Sequence, residues 1–226
     1  MSNDHPCLEG DPWPFLDDQG LGLVARYFDP TGGFSGGQFE RFCGGGDAPE
    51  CLDAFTPADL LSVTLLEVMV PGLAAISILG ELGPHLNGHL GAIPADRDLW
   101  DVPLSDVGDD SDADKLWHDL VDRLYGVNWV IAAKLMARKR PRLIPVYDSV
   151  VKNALSPGDK NFWLALRCEL GDAGLRQRLT EMRSLAGIAE DISLLRVLDA
   201  AVWMRNRHDS ADPLPFVACP RHHRNP

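Results

Sequence analysis

Asp148, introduced by Pro145-Val146-Tyr147, and Lys134, on the apolar segment before it, are side chains of types that can do chemistry. A carboxylate can stabilise developing positive charge and position a water for attack. A desolvated lysine amine is a nucleophile toward carbonyl carbon. Around them, Lys134, Arg138, Lys139, Arg140, Arg142 and Lys152 face the single acid Asp148, a local concentration of cations suited to phosphate. Each feature also has a plain structural use. Asp before a helix is a common N-cap, and cations complement the dipole at a helix C-terminus.

The elements that must position these groups are legible in the spacing. Leu116, Trp117, Leu120, Val121 and Leu124 recur at helical steps, with Asp119, Asp122 and Arg123 opposite. Gly126 breaks that period, and its freedom at positive φ lets Tyr125-Gly126-Val127-Asn128 turn sharply. Trp129 to Arg138 then restarts as a helix with Ile131, Ala132, Leu135 and Met136 inward. The unpaired backbone N–H groups at that restart are a ready site for a phosphate.

Gly126, Val127, Ala132, Pro145, Val146, Asp148 and Val151 spell a Gly-Val-x-x-x-x-Ala segment, a gap, and Pro-Val-x-Asp-x-x-Val. This pattern resembles the core of the helix-hairpin-helix DNA glycosylases, and the wider chain is similar to uncharacterised bacterial proteins. The resemblance implies a mainly α, helix-hairpin-helix glycosylase-like fold, DNA as partner, and cleavage of the N-glycosidic bond of a damaged or modified base. It puts the hairpin grip on Gly126 and Val127, with Asn128 and Trp129 completing the corner, and the catalytic carboxylate on Asp148. Arg138, Lys139, Arg140, Arg142 and Lys152 would meet phosphates. Where bifunctional members carry their lysine this chain has Val130, and Lys134 lies one turn further along the same face, so the resemblance implies a monofunctional hydrolase. It implies no cofactor beyond a monovalent cation at the hairpin. Asn128 replaces the usual second hairpin glycine and takes up a left-handed conformation less readily. Two other readings stay open: a non-catalytic DNA- or partner-binding module, and a nucleoside or nucleotide N-glycosidase.

The bulk properties bound these readings. The chain has 226 residues, 45% hydrophobic and 24% charged, enough for a substantial core. Its net charge of −12 argues against a nucleic-acid partner until it is divided: residues 1–114 hold 21 acids and 3 bases, and residues 115–226 hold 12 acids and 18 bases. No apolar run approaches the roughly 20 residues that span a bilayer, and the first residues are acidic and polar, so the expectation is a cytoplasmic protein. Five scattered cysteines with no C-x-x-C pair argue against a disulfide scaffold and against a four-cysteine metal cluster.

Four regions follow from composition. Residues 1–55 are irregular and rich in Gly and aromatics, with the aromatics covering a core. Residues 56–114 are acidic and helical, opening on the cap Thr56-Pro57-Ala58-Asp59 and ending in an exposed linker from Asp96 to Asp114. The two apolar helices between, Asp59 to Val70 and Leu73 to Leu82, read as buried. Residues 115–210 hold the hairpin and further helices starting near Ser149, Asn161, Leu175 and Asp191. Residues 211–226 form a Pro-rich tail containing His222 and His223. His85 and His89 have metal-ligand spacing for a helix face. Gly88, the flanking prolines and the lack of a nearby acid or cysteine favour ordinary histidines, and no metal site is expected.

Overall fold

Polar side chains at the head of each segment set most of the helix boundaries. Asp17, Thr56, Ser111, Asn128, Asp148, Asn161, Asp172 and Ser193 each accept a hydrogen bond from a backbone N–H in the first turn of the helix that follows, satisfying donors that have no partner inside the helix. The computed structural model describes residue 8, residues 13–156 and residues 161–207. The helices are α1 (Asp18–Phe28), α2 (Pro57–Ser62), α3 (Gly72–Leu79), α4 (Gly83–Ala92) and α5 (Asp112–Arg123), then α6 (Trp129–Lys139), α7 (Ser149–Leu155), α8 (Phe162–Leu170), α9 (Ala173–Leu185) and α10 (Leu194–Asn206). Short 3-10 turns fill several connections, and no strand occurs among the described residues. The fold is mainly α, as expected.

Helix α6 runs through the middle. Every residue from Ile131 to Lys139 is buried, with α5, α2 and the 3-10 turn at Val63–Leu66 packed against it. Helix α10 closes the other side against α1, α7 and α9. One apolar cluster joins Leu8, Phe39, Leu90, Leu135, Leu166 and Val202, so the three regions before residue 211 share a core. The aromatics Trp13, Phe15 and Phe39 pack in that core, as their composition implied, and Tyr27 packs with Ala200 and Met204 in a smaller cluster.

The cations at the end of α6 are built into the interior, which corrects the expectation that they face phosphate. Arg138, Lys139 and Arg140 have 1%, 0% and 1% of their surface exposed. Arg138 donates to the carbonyls of Phe39 and Glu40 at 2.6 and 2.7 Å, to that of Phe42, and to Asp59 Oδ1 at 3.2 Å. Lys139 donates to the carbonyls of Gly46 and Cys51 and lies 3.4 Å from Asp59 Oδ2. Arg140 donates to the carbonyls of Leu52, Leu90 and Ile93 and to Asp53. A loop cannot bury its carbonyls unpaired, and a cation cannot be buried unpaired either. The irregular stretch from Phe39 to Asp53 and the end of α6 solve each other's problem. Gly46 packs so closely on Arg138 that a Cβ there would lie 2.3 Å from its carbonyl oxygen.

Other expectations are corrected as well. Helix α3 is buried on one face only: Ala74 and Ile78 join the core, while Leu73 and Ile76 are about two-thirds exposed, beside an exposed Met69. The helix beginning at Pro57 stops as an α-helix at Ser62, passes through a 3-10 turn, and ends where Glu67 turns left-handed with φ +62°. Just past the expected helix end at Leu82, the Gly83-Pro84 pair starts α4, since proline fits the first turn. The acidic segment before α5 is not an exposed linker throughout: Leu99, Val102 and Val107 are buried, and Arg142 and Arg167 pair with its backbone. Cys43 and Cys51 are free thiols, whereas Cys168 is disulfide-bonded. The tail with His222 and His223 lies outside the described residues.

Candidate active site around Lys134 and Asp148

The corner between α5 and α6 forms as its residues require. Gly126 sits at φ +77°, with Pro71 packed so that a Cβ would lie 3.0 Å from its ring. Val127 turns into the core, and Tyr125 stands out in solvent. Asn128 departs from the expected left-handed conformation: its backbone is extended, at φ −98° and ψ 175°. Its Oδ1 accepts from the N–H groups of Val130 and Ile131 at 3.0 Å each. Those are the amides that a phosphate at this helix start would use, so the side chain fills the anion site.

Asp148 caps α7 in the same way, with Oδ1 accepting from Val150 and Val151 at 3.0 and 3.1 Å. Its second oxygen is turned to Lys134, whose Nζ lies 3.5 Å away. Both side chains are nearly sealed, at 5% and 11% exposure. The Lys134 amine also donates to the Leu66 carbonyl at 2.8 Å. Burial pulls the Lys134 pKa below its usual value, and the Asp148 carboxylate opposes that shift. The one-turn displacement of the lysine from Val130 therefore still brings its amine beside the acid.

Tyr147, the residue before Asp148, opens onto a cleft of about 180 Å³ lined by Asp114, Trp117, Tyr147, Asn161, Phe162 and Trp163. Tyr147 stacks on Phe162 with centroids 4.0 Å apart and interplanar angle 16°, and Trp129 tilts against Tyr147 at 5.1 Å. Lys152 lies over the Trp129 ring at 5.4 Å, with its ammonium in solvent. Aromatic faces with an amide and a carboxylate at the rim suit a flat, hydrogen-bonding ligand. Asp148 itself does not line this cleft.

Of the sequence-derived site residues, the structure brings together Lys134 and Asp148, and separately Trp129 and Lys152. It withdraws Arg138, Lys139 and Arg140 into the interior and engages Arg142 in a two-point pair with Asp98 at 2.9 and 2.7 Å. Among the described residues, Lys152 is the exposed cation of the set with no acid paired to it.

Sequence reasoning missed one cluster. His85 and His89 share a face of α4 and meet Asp119 of α5, with donor atoms all within 4.8 Å of one another. The i,i+4 histidine spacing was the signal; its third member lay far downstream. Among the described residues no helix is long and apolar enough to cross a membrane.

The chain was compared with known proteins. No curated protein and no solved structure matches it. A model of a family of unknown function, DUF6308, matches residues 21–206, which is most of the chain and includes Lys134, Asp148 and the aromatic cleft. The chain belongs to the DUF6308 family.

Proposed function

We propose that this protein hydrolyses an N-glycosidic bond, with a damaged or modified base in DNA as the substrate that the hairpin resemblance favours. The observation that carries the proposal is the 3.5 Å approach of a nearly buried amine to the non-capping oxygen of a nearly buried carboxylate. In this reading one Asp148 oxygen accepts two backbone N–H bonds at a helix start and the other faces the Lys134 amine. The carboxylate stabilises the positive charge that develops on the sugar as the base departs, and it orients the attacking water. Lys134 positions the carboxylate. The base itself is held against the aromatic cleft that begins at Tyr147, after extrusion from the stack if the substrate is a duplex. The work of unpairing selects lesions and mismatches.

A second reading is favoured by a specific observation. Asp148 has its whole carboxylate occupied by a cap and an ion pair, which is what a purely structural residue would show. Under that reading the chain is a non-catalytic binding module.

Burial of Arg138, Lys139 and Arg140 bears on the substrate, because a surface with few free cations grips a long polyanion weakly. The test is release of free base from a panel of lesion-containing duplexes run beside the corresponding free nucleosides. Release from duplexes supports the DNA reading, and release from nucleosides alone moves the same chemistry to a small substrate. Duplex binding with a steep salt dependence and no base release supports the binding module.

A further inference from the structure

We propose that His85, His89 and Asp119 form a binding site for a divalent transition metal of the zinc class, with one coordination position open to solvent. The site lies outside the Lys134–Asp148 pair and does not depend on the function proposed for it. His85 and His89 stand one turn apart on α4 with ring centroids 5.1 Å apart. Both direct Nε2 at the same oxygen of Asp119 on the neighbouring helix α5, at 2.6 and 3.4 Å. Tetrahedral ligands bound at zinc distances are separated by about 3.4 Å, so the donors already have nearly the needed spacing. All three donor atoms lie within 4.8 Å of one another, and the His85–Asp119 contact must open, exchanging a shared proton for the ion.

The strongest argument is the second nitrogen of His89. Its Nδ1 lies 3.0 Å from Asp112 Oδ1, two turns before Asp119 on the same helix. A proton on Nδ1 donated to that carboxylate leaves Nε2 on the Asp119 side, available as a metal ligand. A carboxylate behind a histidine whose far nitrogen faces a ligand set is the arrangement that fixes tautomer and orientation in metal sites. Asp119 is supported in turn, since Arg123 donates to its other oxygen at 3.2 Å.

Exposure sets the kind of site. His89 and Asp119 are 18% and 17% exposed while His85 is 48% exposed, so the cluster is walled on the helix side and open on the other. Two imidazoles and one carboxylate suit zinc or a neighbouring ion such as cobalt or nickel better than calcium or magnesium, which prefer all-oxygen sets.

The test uses the full chain, stripped with a chelator and titrated with Zn2+ by calorimetry and with Co2+ by visible absorption. One equivalent should bind, with the intense visible bands of low-coordinate Co2+, and Zn2+ should raise the thermal midpoint. His85→Gln, at an exposed position that leaves the fold intact, and Asp119→Asn should each weaken binding by at least about 100-fold, and Asp112→Asn by about 10- to 100-fold. His222→Gln/His223→Gln in the tail should change nothing. The proposal fails if Zn2+ binding is lost in the tail variant while His85→Gln binds like wild type. It fails equally if wild type takes up no equivalent of either ion.

Discussion

The Lys134 amine stops 3.5 Å from Asp148 Oδ2 while the other oxygen of the same carboxylate holds the first turn of α7. One side chain thus does two separable things: it caps a helix, and it carries charge opposite a buried amine. Substitutions can remove these one at a time.

Asparagine caps a helix about as well as aspartate, so Asp148→Asn keeps the cap and loses the charge. Asp148→Ala loses both. Equilibrium urea unfolding should show the alanine variant less stable than the asparagine variant by about 1 to 2 kcal/mol. Equal stabilities would mean that the cap contributes nothing.

Loss of the Asp148 charge also has a pH signature. Burial already depresses the Lys134 pKa below 10.5, and the carboxylate opposes that depression. Without it the folded-state value falls further. The folded chain then binds fewer protons than the unfolded chain between that lowered value and 10.5, so stability rises with pH through the window. The destabilisation of Asp148→Asn should therefore be largest at neutral pH and shrink as pH approaches 10.5. A gap independent of pH would show that Lys134 is not coupled to Asp148.

Glu40 makes a second pH-dependent contribution with its own sign. Burial raises its pKa from 4.5 to about 7, against the hydrogen bonds it accepts from the Ser193 hydroxyl and backbone at 2.7 and 3.0 Å. The folded chain holds this proton where the unfolded chain has lost it, so stability falls as pH rises from 4.5 to about 7 and is level beyond. Glu40→Gln should flatten that slope in unfolding free energies measured across the interval. An unchanged slope would assign it to other groups.

The cations at the end of α6 should sort by burial. Arg138→Ala removes one of the two cations paired with the fully buried Asp59 carboxylate and strands three loop carbonyls, and should cost about 3 to 5 kcal/mol. Arg142→Ala removes a half-exposed pair with Asp98 and should cost at most about 1 kcal/mol. Similar costs in chemical denaturation would contradict the internal framework described for α6.

What could be seen in advance follows from how local the signals are. The helix, corner and helix around Gly126 were legible because apolar spacing and one positive-φ glycine are sufficient to specify them. The box at Thr56 and Asp59 was legible for the same reason, both partners lying within one turn. The fate of Arg138, Lys139 and Arg140 was not, because their partners lie in a loop distant in sequence. A run of cations at a helix end has the same appearance whether it meets water or carbonyls. The metal-binding geometry of His85 and His89 was half visible: their spacing was plain, Gly88 and Pro84 disguised the helix, and Asp119 came from a different element.

The most direct measurement is the single-turnover rate of base release by wild type and by Asp148→Asn, on whichever substrate the wild type accepts, with the folded state of the variant verified by cooperative unfolding. A catalytic Asp148 predicts a rate reduced by about 100-fold or more in a folded variant. Equal rates in the two proteins, or no release by folded wild type from any duplex or nucleoside, would contradict it and leave Asp148 as a helix cap with a buried counter-ion.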